Sequence, residues 1–303
     1  MRKVLILTDQ KGWHYKQLKK SFENRGISVE SSNLDNLSIA IQGKKNQIIK
    51  NNGELLTNIT DVFVRHIPGG TLEEVIINLN ILKVFESHNI NVMNTSENIE
   101  TTVDKSLTSI KLMESGILTP DTWVVRGRSN CKKIVKNLLP RHALIYKPLF
   151  GSQGDNIVKI TTISDFDKII NESNIFYIQE FLETKPSHDY RVLIAKNKNK
   201  KMVYTMMRYS DSYINNISKG AMCVSVKADK DIIETALKAA SVINIPFCGV
   251  DIIKHNNKNY VIELNSIPAW KGMQTTLENN ISDEIINIFI GNTINKSFLS
   301  VLK

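Results

Sequence analysis

Apolar residues follow two rhythms along the chain. KVLILT near the N-terminus is a short apolar run, as a buried strand requires, and DVFVRHIPGG (61–70) and INVMN read as further strands. WHYKQLKKSFENRG and TLEEVIINLNILKVFESH instead carry helical spacing; Gly26 stops the first, and Thr71 and Glu74 stand at capping-box separation at the start of the second. Strands alternating with helices over residues 1–95 predict a parallel α/β sheet, with ligands near the carboxyl ends of its strands. Residues 96–116 read as helical, and Pro120 lies beyond them as a stop. WVVRG, ALIYKPLF, NIVKIT and FYIQEF are strand-like runs around the helix-like CKKIVKNLL and SDFDKIINES, a small α+β unit. After residue 185, DYRVLIA, MVYTMMR, FCGVDII and NYVIEL predict a mainly antiparallel sheet. Helices are expected over DKDIIETALKAASVIN, with Asp229 at its start, and over 282–294. The predicted class is therefore α/β, passing to α+β in the C-terminal half, in units 1–95, 96–184 and 185–303.

Within the last unit, polar residues interrupt the strand pattern at informative places. Side chains two apart on a strand share a face, so VIELNSIP puts Glu263 and Asn265 on one side and Ile262 and Leu264 on the other. CGVDII repeats the anomaly with Asp251, and the turn-rich HNNKN between the two runs predicts a hairpin. Each residue alone reads as a buried polar group satisfied by an arginine or an amide. Together they form an oxygen-rich set suited to Mg²⁺, since two neighbouring buried carboxylates cost several kcal/mol unless a cation neutralises them.

Charge and length narrow the class. The 303 residues carry a formal charge of +9, which favours anionic partners such as nucleotides, carboxylates or nucleic acid. The basic run KNKNKK (196–201) falls where a hairpin tip is expected and has no interleaved aromatics, so it reads as a solvated turn and argues against nucleic acid as a partner. No apolar run has the length of a membrane span and the N-terminus turns polar too early for a signal peptide, which points to a cytoplasmic chain. Three widely separated cysteines suggest neither a disulfide framework nor a zinc site.

Three further clusters carry candidate chemistry. In YKPLFGSQGDNI, Lys147 precedes the loop Gly151-Ser152-Gln153-Gly154, whose glycines let backbone amides approach phosphate; the loop matches neither common nucleotide-binding glycine motif, and an ordinary hairpin turn is the alternative. In YIQEFLETKPSHDYRVLIA, Gln179 and Glu180 close one strand, and Asp189 and Arg191 share a face of the next, as a ribose-binding acid or a surface ion pair. Arg208 ends MVYTMM, and Asn215, Asn216 and Lys219 follow in YINNISKGA.

In order, Lys105, YKPLFGSQG, QEF, DYR, MMR, NNISKGA, GVDII and IELNSIP resemble the ATP-grasp superfamily, and within it the RimK-like α-L-glutamate ligases, from Asp104 to Gln274 with a looser likeness before. The resemblance implies an ATP-grasp fold: a Rossmann-like N-terminal domain, a small central lid and a C-terminal, mainly antiparallel domain. It implies that Lys105 and Lys147 contact the ATP phosphates beneath the 151–154 loop. Gln179 adjoins the nucleotide, Glu180 and Phe181 meet the adenine edge largely through backbone groups, and Asp189 takes the ribose side. Asp251, Glu263 and Asn265 hold Mg²⁺ or Mn²⁺, two ions being expected, while Arg208, Asn216 and Lys219 act at the transferred phosphate.

Such enzymes activate a carboxylate as an acyl phosphate and join it to an amine, here L-glutamate. Arg65, Gly69, Gly70 and Arg191 are the expected substrate-binding residues, the first three at the start of a helix whose N-terminus favours anions. Tyr209 and Ile214 replace arginines typical of the ribosomal-protein-modifying members. VRHIPGGT and NSIPAWKGMQ look more like members acting on a pterin such as tetrahydromethanopterin. A protein tail, coenzyme F420, an amino-acid carrier, or a silent nucleotide-binding regulator are the alternatives. Self-association as a dimer or tetramer is expected by the same likeness.

Overall fold

A computed structural model describes residues 2–43, 45–151, 155–213, 215 and 220–300, with side chains as far as 291. The first unit is built on a parallel sheet. Strands β1 (Lys3–Leu7), β2 (Ser28–Ser32), β5 (Asp61–Val64) and β6 (Asn91–Met93) lie in the order β2-β1-β5-β6, with helices α1 (Trp13–Glu23) and α2 (Leu72–Ser87) in the crossovers. Parallel pairing demands long connections and buries both faces, which the apolar KVLIL and DVFV supply. The expected capping box is formed, with Thr71 accepting from the Glu74 amide and Glu74 accepting from the Thr71 amide. A separate hairpin, β3 (Leu37–Gln42) with β4 (Lys45–Lys50), covers this unit. Neither this hairpin nor β2 was expected, because SVESS has no apolar alternation.

The stretch 96–116 is not one helix, as its pattern suggested, but two. α3 (Ser96–Val103) stops at Asp104, whose extended backbone and side chain cap α4 (Lys105–Glu114) by accepting from the Ser106 and Leu107 amides. The break makes Lys105 the first residue of α4.

The middle unit is an antiparallel sheet in the order β7-β10-β8-β9, comprising β7 (Thr122–Arg126), β8 (Leu144–Lys147), β9 (Val158–Ile160) and β10 (Ile175–Glu180). Helices α5 (Arg128–Leu138) and α6 (Ile163–Asp167) cover one face, burying Leu144, Tyr146, Phe176 and Ile178 with Cys131 and Phe166. Alternation then commits Ile145, Lys147, Tyr177 and Gln179 to the opposite face.

The third unit is a five-stranded antiparallel sheet, β13-β12-β11-β14-β15, from β11 (His188–Lys196), β12 (Lys201–Tyr209), β13 (Met222–Ser225), β14 (Phe247–His255) and β15 (Lys258–Asn265). Helix α7 (Lys230–Val242) packs on Val192, Ile194, Val250 and Ile252. The other face is apolar at one end, where Leu193, Ala195, Met206 and Phe247 share a core with Val4, Phe22 and Phe63 of the first unit. The short α8 (Lys271–Gln274) and the long α9 (Ile281–Ser300) complete the chain, and α9 adds Phe289 to that core. Thr102 donating to Ser266 at 2.7 Å and Asn98 donating to the Ile243 carbonyl at 3.0 Å tie α3 to the third unit. Among the described residues no helix is long and apolar enough to cross a membrane.

Candidate active site

The free face of the four-stranded sheet and the charged end of the five-stranded sheet line an open cleft. On the five-stranded side the alternation that buries Leu193 and Phe247 also brings Asp189, Arg191, Asp251 and Arg208 to one face. The register sets Asp189 opposite Arg208, Arg191 opposite Asp251, and Asp251 opposite Glu263, so a stripe of charged groups crosses four adjacent strands and ends in two neighbouring carboxylates.

This stripe is a bonded network. Arg208 clasps Asp189 through Nε and Nη2 at 2.7 and 2.8 Å, and its Nη2 also reaches Asp251 at 2.8 Å. Arg191 makes its own bidentate pair with Asp251. Burial raises the Asp251 carboxyl's pKa, but Arg191 and Arg208 overcome it and hold the group below the usual carboxylate range. Asp189 shares Arg208 with that second acid, and burial with Asp251 nearby pushes it up to about 6 against the pull of Arg208. Arg208 is kept protonated, since Asp251 and Asp189 outweigh the cost of its burial. The alternative of an Asp189–Arg191 surface pair is not realised: Asp189 pairs with Arg208 and Asp251 with Arg191, each across adjacent strands.

Glu263 differs from its neighbours. It lines the cleft but makes no hydrogen bond or ion pair among the described residues, and its charge acts on Lys105 and Lys147. A β-bulge explains its position. Asp251 pairs with Glu263 and Ile252 with Val261, so Ile262 is the extra residue. Val261 and Leu264 bury under α7, whereas Ile262 and Glu263 both line the cleft. The strict alternation that assigned Ile262 to the apolar face fails here, as bulges re-aim side chains. Asn265 stands opposite Gly249, and its Oδ1 accepts from the Ile267 amide at 2.8 Å; it does not line the cleft.

Two lysines face the carboxylates. Lys147 Nζ donates to Gln179 Oε1 at 2.8 Å. Gln179 in turn donates to Thr122 and Tyr177, and Tyr177 meets Ser109 of α4 at 2.8 Å. Gln179 is almost wholly buried and aims a cation, a role the sequence reading did not give it. Burial drives the Lys147 ammonium down to about 8 despite the pull of Glu263, and Lys105 adds repulsion. Lys105 donates to the Leu149 and Gly151 carbonyls, gripping the start of the glycine loop, and burial lowers its pKa too.

At the cleft mouth Glu180 meets His142 at 3.0 Å, and Phe181 lies beneath Lys159 Nζ at 4.0 Å with Tyr213 at its edge. The Glu180 and Phe181 amides are already donated to the Asp121 and Ala143 carbonyls. The backbone route expected toward an adenine is therefore confined to their carbonyl oxygens. Ser152, Gln153, Gly154, Asn216 and Lys219 lie outside the described residues.

Arg65, Gly69 and Gly70 stand apart from the cleft. Gly70 has a packing reason, since a Cβ there would lie 2.2 Å from Glu74 Oε2, the capping oxygen.

The donor set fits Mg²⁺. Among the described residues no three His, Cys, Asp or Glu side chains converge. Asp251 and Glu263 face one another across one ladder in a cleft that also holds Lys105, Lys147 and Arg208. One or two carboxylates beside phosphate-binding cations is the usual protein share of an Mg²⁺ shell completed by phosphate and water.

A RimK pre-ATP-grasp domain is matched over residues 1–99 and a RimK-like ATP-grasp domain over 102–289. The chain belongs to the RimK-like ATP-grasp family, and it is an ATP-dependent ligase. Among curated relatives, the tetrahydromethanopterin:alpha-L-glutamate ligase of Methanosarcina acetivorans is 25% identical over 312 residues, covering 90% of this chain and 94% of the relative. That of Methanocaldococcus jannaschii is 30% identical over 220 residues, covering 70% and 74%. The glutamate–LysW ligase ArgX of Sulfolobus acidocaldarius is 29% identical over 213 residues, covering 67% and 74%. Among solved structures, the ATP-grasp ligase PsnB complexed with minimal precursor superposes with a TM-score of 0.70 at 14% identity, covering 97% of this chain and 99% of its own. PsnB has also been solved with a phosphomimetic precursor variant, Mg and ADP, at the same TM-score of 0.70. At these identities the neighbours speak for the fold.

Proposed function

We propose that the cleft joins L-glutamate to an acidic acceptor, first a pterin-type cofactor such as tetrahydromethanopterin, through an acyl phosphate made from ATP. The observation that carries this reading is the pairing of Asp251 with Glu263 opposite Lys147 and Lys105 in one cleft. The relatives' names support glutamate as the amine, and the pterin ligases among them support the acceptor.

Lys105 and Lys147 neutralise the nucleotide phosphates, and Gly151, Ser152, Gln153 and Gly154 take part in binding ATP. Residues 96–184 and 185–303 form the two halves of the clamp. Phe181, Tyr213 and Ile157 give the base an apolar seat at the mouth. Asp251 and Glu263, with Asn265 supplying an amide oxygen, would hold two Mg²⁺ or Mn²⁺ ions. A bound ion would supply neutralisation of the phosphate charge. The acceptor carboxylate attacks the γ-phosphorus and ADP departs; the amine then attacks the acyl carbon and phosphate departs with the acyl C–O bond broken. Arg208, fixed by Asp189 and Asp251, holds a permanent positive charge beside the transferring group, together with Asn216 and Lys219, while Arg191 adjoins the substrate. Asp189 thereby serves Arg208 as well as the ribose side.

Self-association as a dimer or tetramer is part of this reading. Leu72, Ile76 and Ile77 leave an apolar stripe on α2 exposed, which suits a contact between copies.

Incubating the protein with Mg²⁺-ATP and L-glutamate against pterins, deazaflavin cofactors and acidic peptides tests the reading by mass spectrometry. A gain of one glutamyl unit on a pterin is the expected result. Unchanged acceptors throughout, with ATP intact, refute it.

A further inference from the structure

Resting on that ligase reading, we infer that the crevice where the loops after β1 and β5 diverge is a second anion subsite. Arg65, His14, Lys271 and the open start of α1 build it, and it takes a carboxylate of the substrate. β1 and β5 are neighbours whose connections leave in opposite directions, because β2 flanks β1 on the far side. In open parallel sheets such a switch point leaves a crevice at the carboxyl ends of the strands.

Arg65 enters that crevice directly from β5, its amide bonded to the Leu7 carbonyl at 2.8 Å. Its Nη1 donates to the Pro268 carbonyl at 2.8 Å, and its guanidinium lies 4.8 Å from the Trp270 ring centre. Nε is buried without a hydrogen-bond partner, and no carboxylate pairs with the group among the described residues. Arg65 itself is half-buried, but a donor atom sealed from solvent without a partner is costly unless an anion completes it. Burial alone draws its pKa down to about 10.

The surroundings repeat the charge. His14 Nε2 accepts from the Trp270 amide at 3.1 Å, which leaves the ring proton on Nδ1 as a further donor. Burial, then Arg65 and Lys271, hold His14 neutral by lowering its pKa to about 3. Lys271 is exposed and makes no ion pair among the described residues. α1 begins at Gly12 without a side-chain cap and without an acid in its first turn, so its amides keep their positive end open. Asp9 is the acid on the loop after β1, and it lies 3.7 Å from His66.

The subsite shares a wall with the cleft. A Cβ added at Gly249 would lie 3.2 Å from both Pro268 Cβ and Arg191 Cδ, so the proline that Arg65 binds is packed beside the Arg191–Asp251 pair. A carboxylate held at Arg65 therefore leaves the rest of its molecule beside the phosphate-transfer machinery.

Trp13 and Trp270, with ring centres 6.4 Å apart, make the crevice readable by intrinsic fluorescence. The experiment titrates L-glutamate, glutarate and inorganic phosphate into the full chain, its Lys271→Gln and Arg65→Gln variants, with a fluorescent ATP analogue titrated in parallel. The expected result is saturable carboxylate binding in the wild type, weakened about tenfold or more in both variants, as loss of a charge-assisted hydrogen bond implies, with nucleotide affinity unchanged within about twofold. L-Glutamate binding tighter than glutarate identifies the amino-acid substrate as the carboxylate's source, and the reverse order identifies the acidic acceptor. Carboxylate binding unaltered in Lys271→Gln, whose exposed position leaves folding intact, overturns the inference. So does nucleotide binding by a wild type that takes none of the anions. A wild type that binds no nucleotide overturns the ligase reading instead.

Discussion

Asp251 stands directly across the β14–β15 ladder from Glu263, yet the first is clasped by two guanidinium groups and the second makes no ion pair among the described residues. The two carboxylates should therefore respond differently to removal. Glu263→Ala is expected to abolish Mg²⁺-dependent ADP formation while changing stability by less than about 0.5 kcal/mol. Asp251→Ala strands Arg191, leaves Arg208 with Asp189 alone, and should cost about 3–5 kcal/mol of folding free energy. Urea melts of the two variants beside ADP assays check the contrast. Equal destabilisation would show that the network is not what holds this end of the sheet.

Lys147 gives the nucleotide site a pH signature. Its pKa in the free protein is lowered to about 8, and a bound phosphate stabilises the charged form. Below that pH the lysine is already protonated and affinity for Mg²⁺-ATP should be flat. Above it, binding must recover a proton, so Kd weakens toward about tenfold per pH unit. Lys147→Arg should flatten the profile. A wild-type Kd constant from pH 7 to 9.5 contradicts the assignment of Lys147 to the phosphates.

Gln179 is expected to act on the same step through Lys147. Gln179→Leu leaves Lys147 Nζ, Thr122 and Tyr177 without their shared partner, at a cost of about 1–3 kcal/mol. The pH dependence of ATP binding should shift as well, because Lys147 loses its anchor. A purely structural role for Gln179 would lower the melting temperature and leave that profile in place.

Gly70 separates packing from substrate contact. In Gly70→Ala the new methyl displaces the Glu74 carboxylate and opens the capping box, costing about 0.5–1 kcal/mol. Steady-state constants for every substrate should stay at wild-type values. An altered KM would restore Gly70 to the substrate-binding set.

Much of this was legible in the sequence because alternation and motif order are local. Asp189, Arg191, Arg208 and Asp251 fell on strands with a fixed period, so their meeting on one face followed once the strands paired. The register between strands was not legible, and register decides that Arg208 rather than Arg191 holds Asp189. Nor was the bulge at Ile262, a one-residue insertion that no hydrophobic pattern announces and that turns both Ile262 and Glu263 to the cleft. The split at Asp104 was readable in principle, since an aspartate can cap amides two and three residues on, but apolar helical spacing on either side masked it. Arg65 drew attention as an arginine after a strand, yet its contacts with Pro268 and Trp270 join residues some two hundred positions apart, which only the fold supplies.

Catalysis in this cleft requires a metal–triphosphate complex to dock between Glu263 and Lys147. Isothermal titration of Mg²⁺-ATP into the wild type, Glu263→Ala and Lys147→Ala, each repeated with chelator, measures this directly. The predicted result is saturable binding in the wild type that chelator and either substitution weaken by about tenfold or more. Equal affinity in all three proteins, indifferent to Mg²⁺, would contradict it.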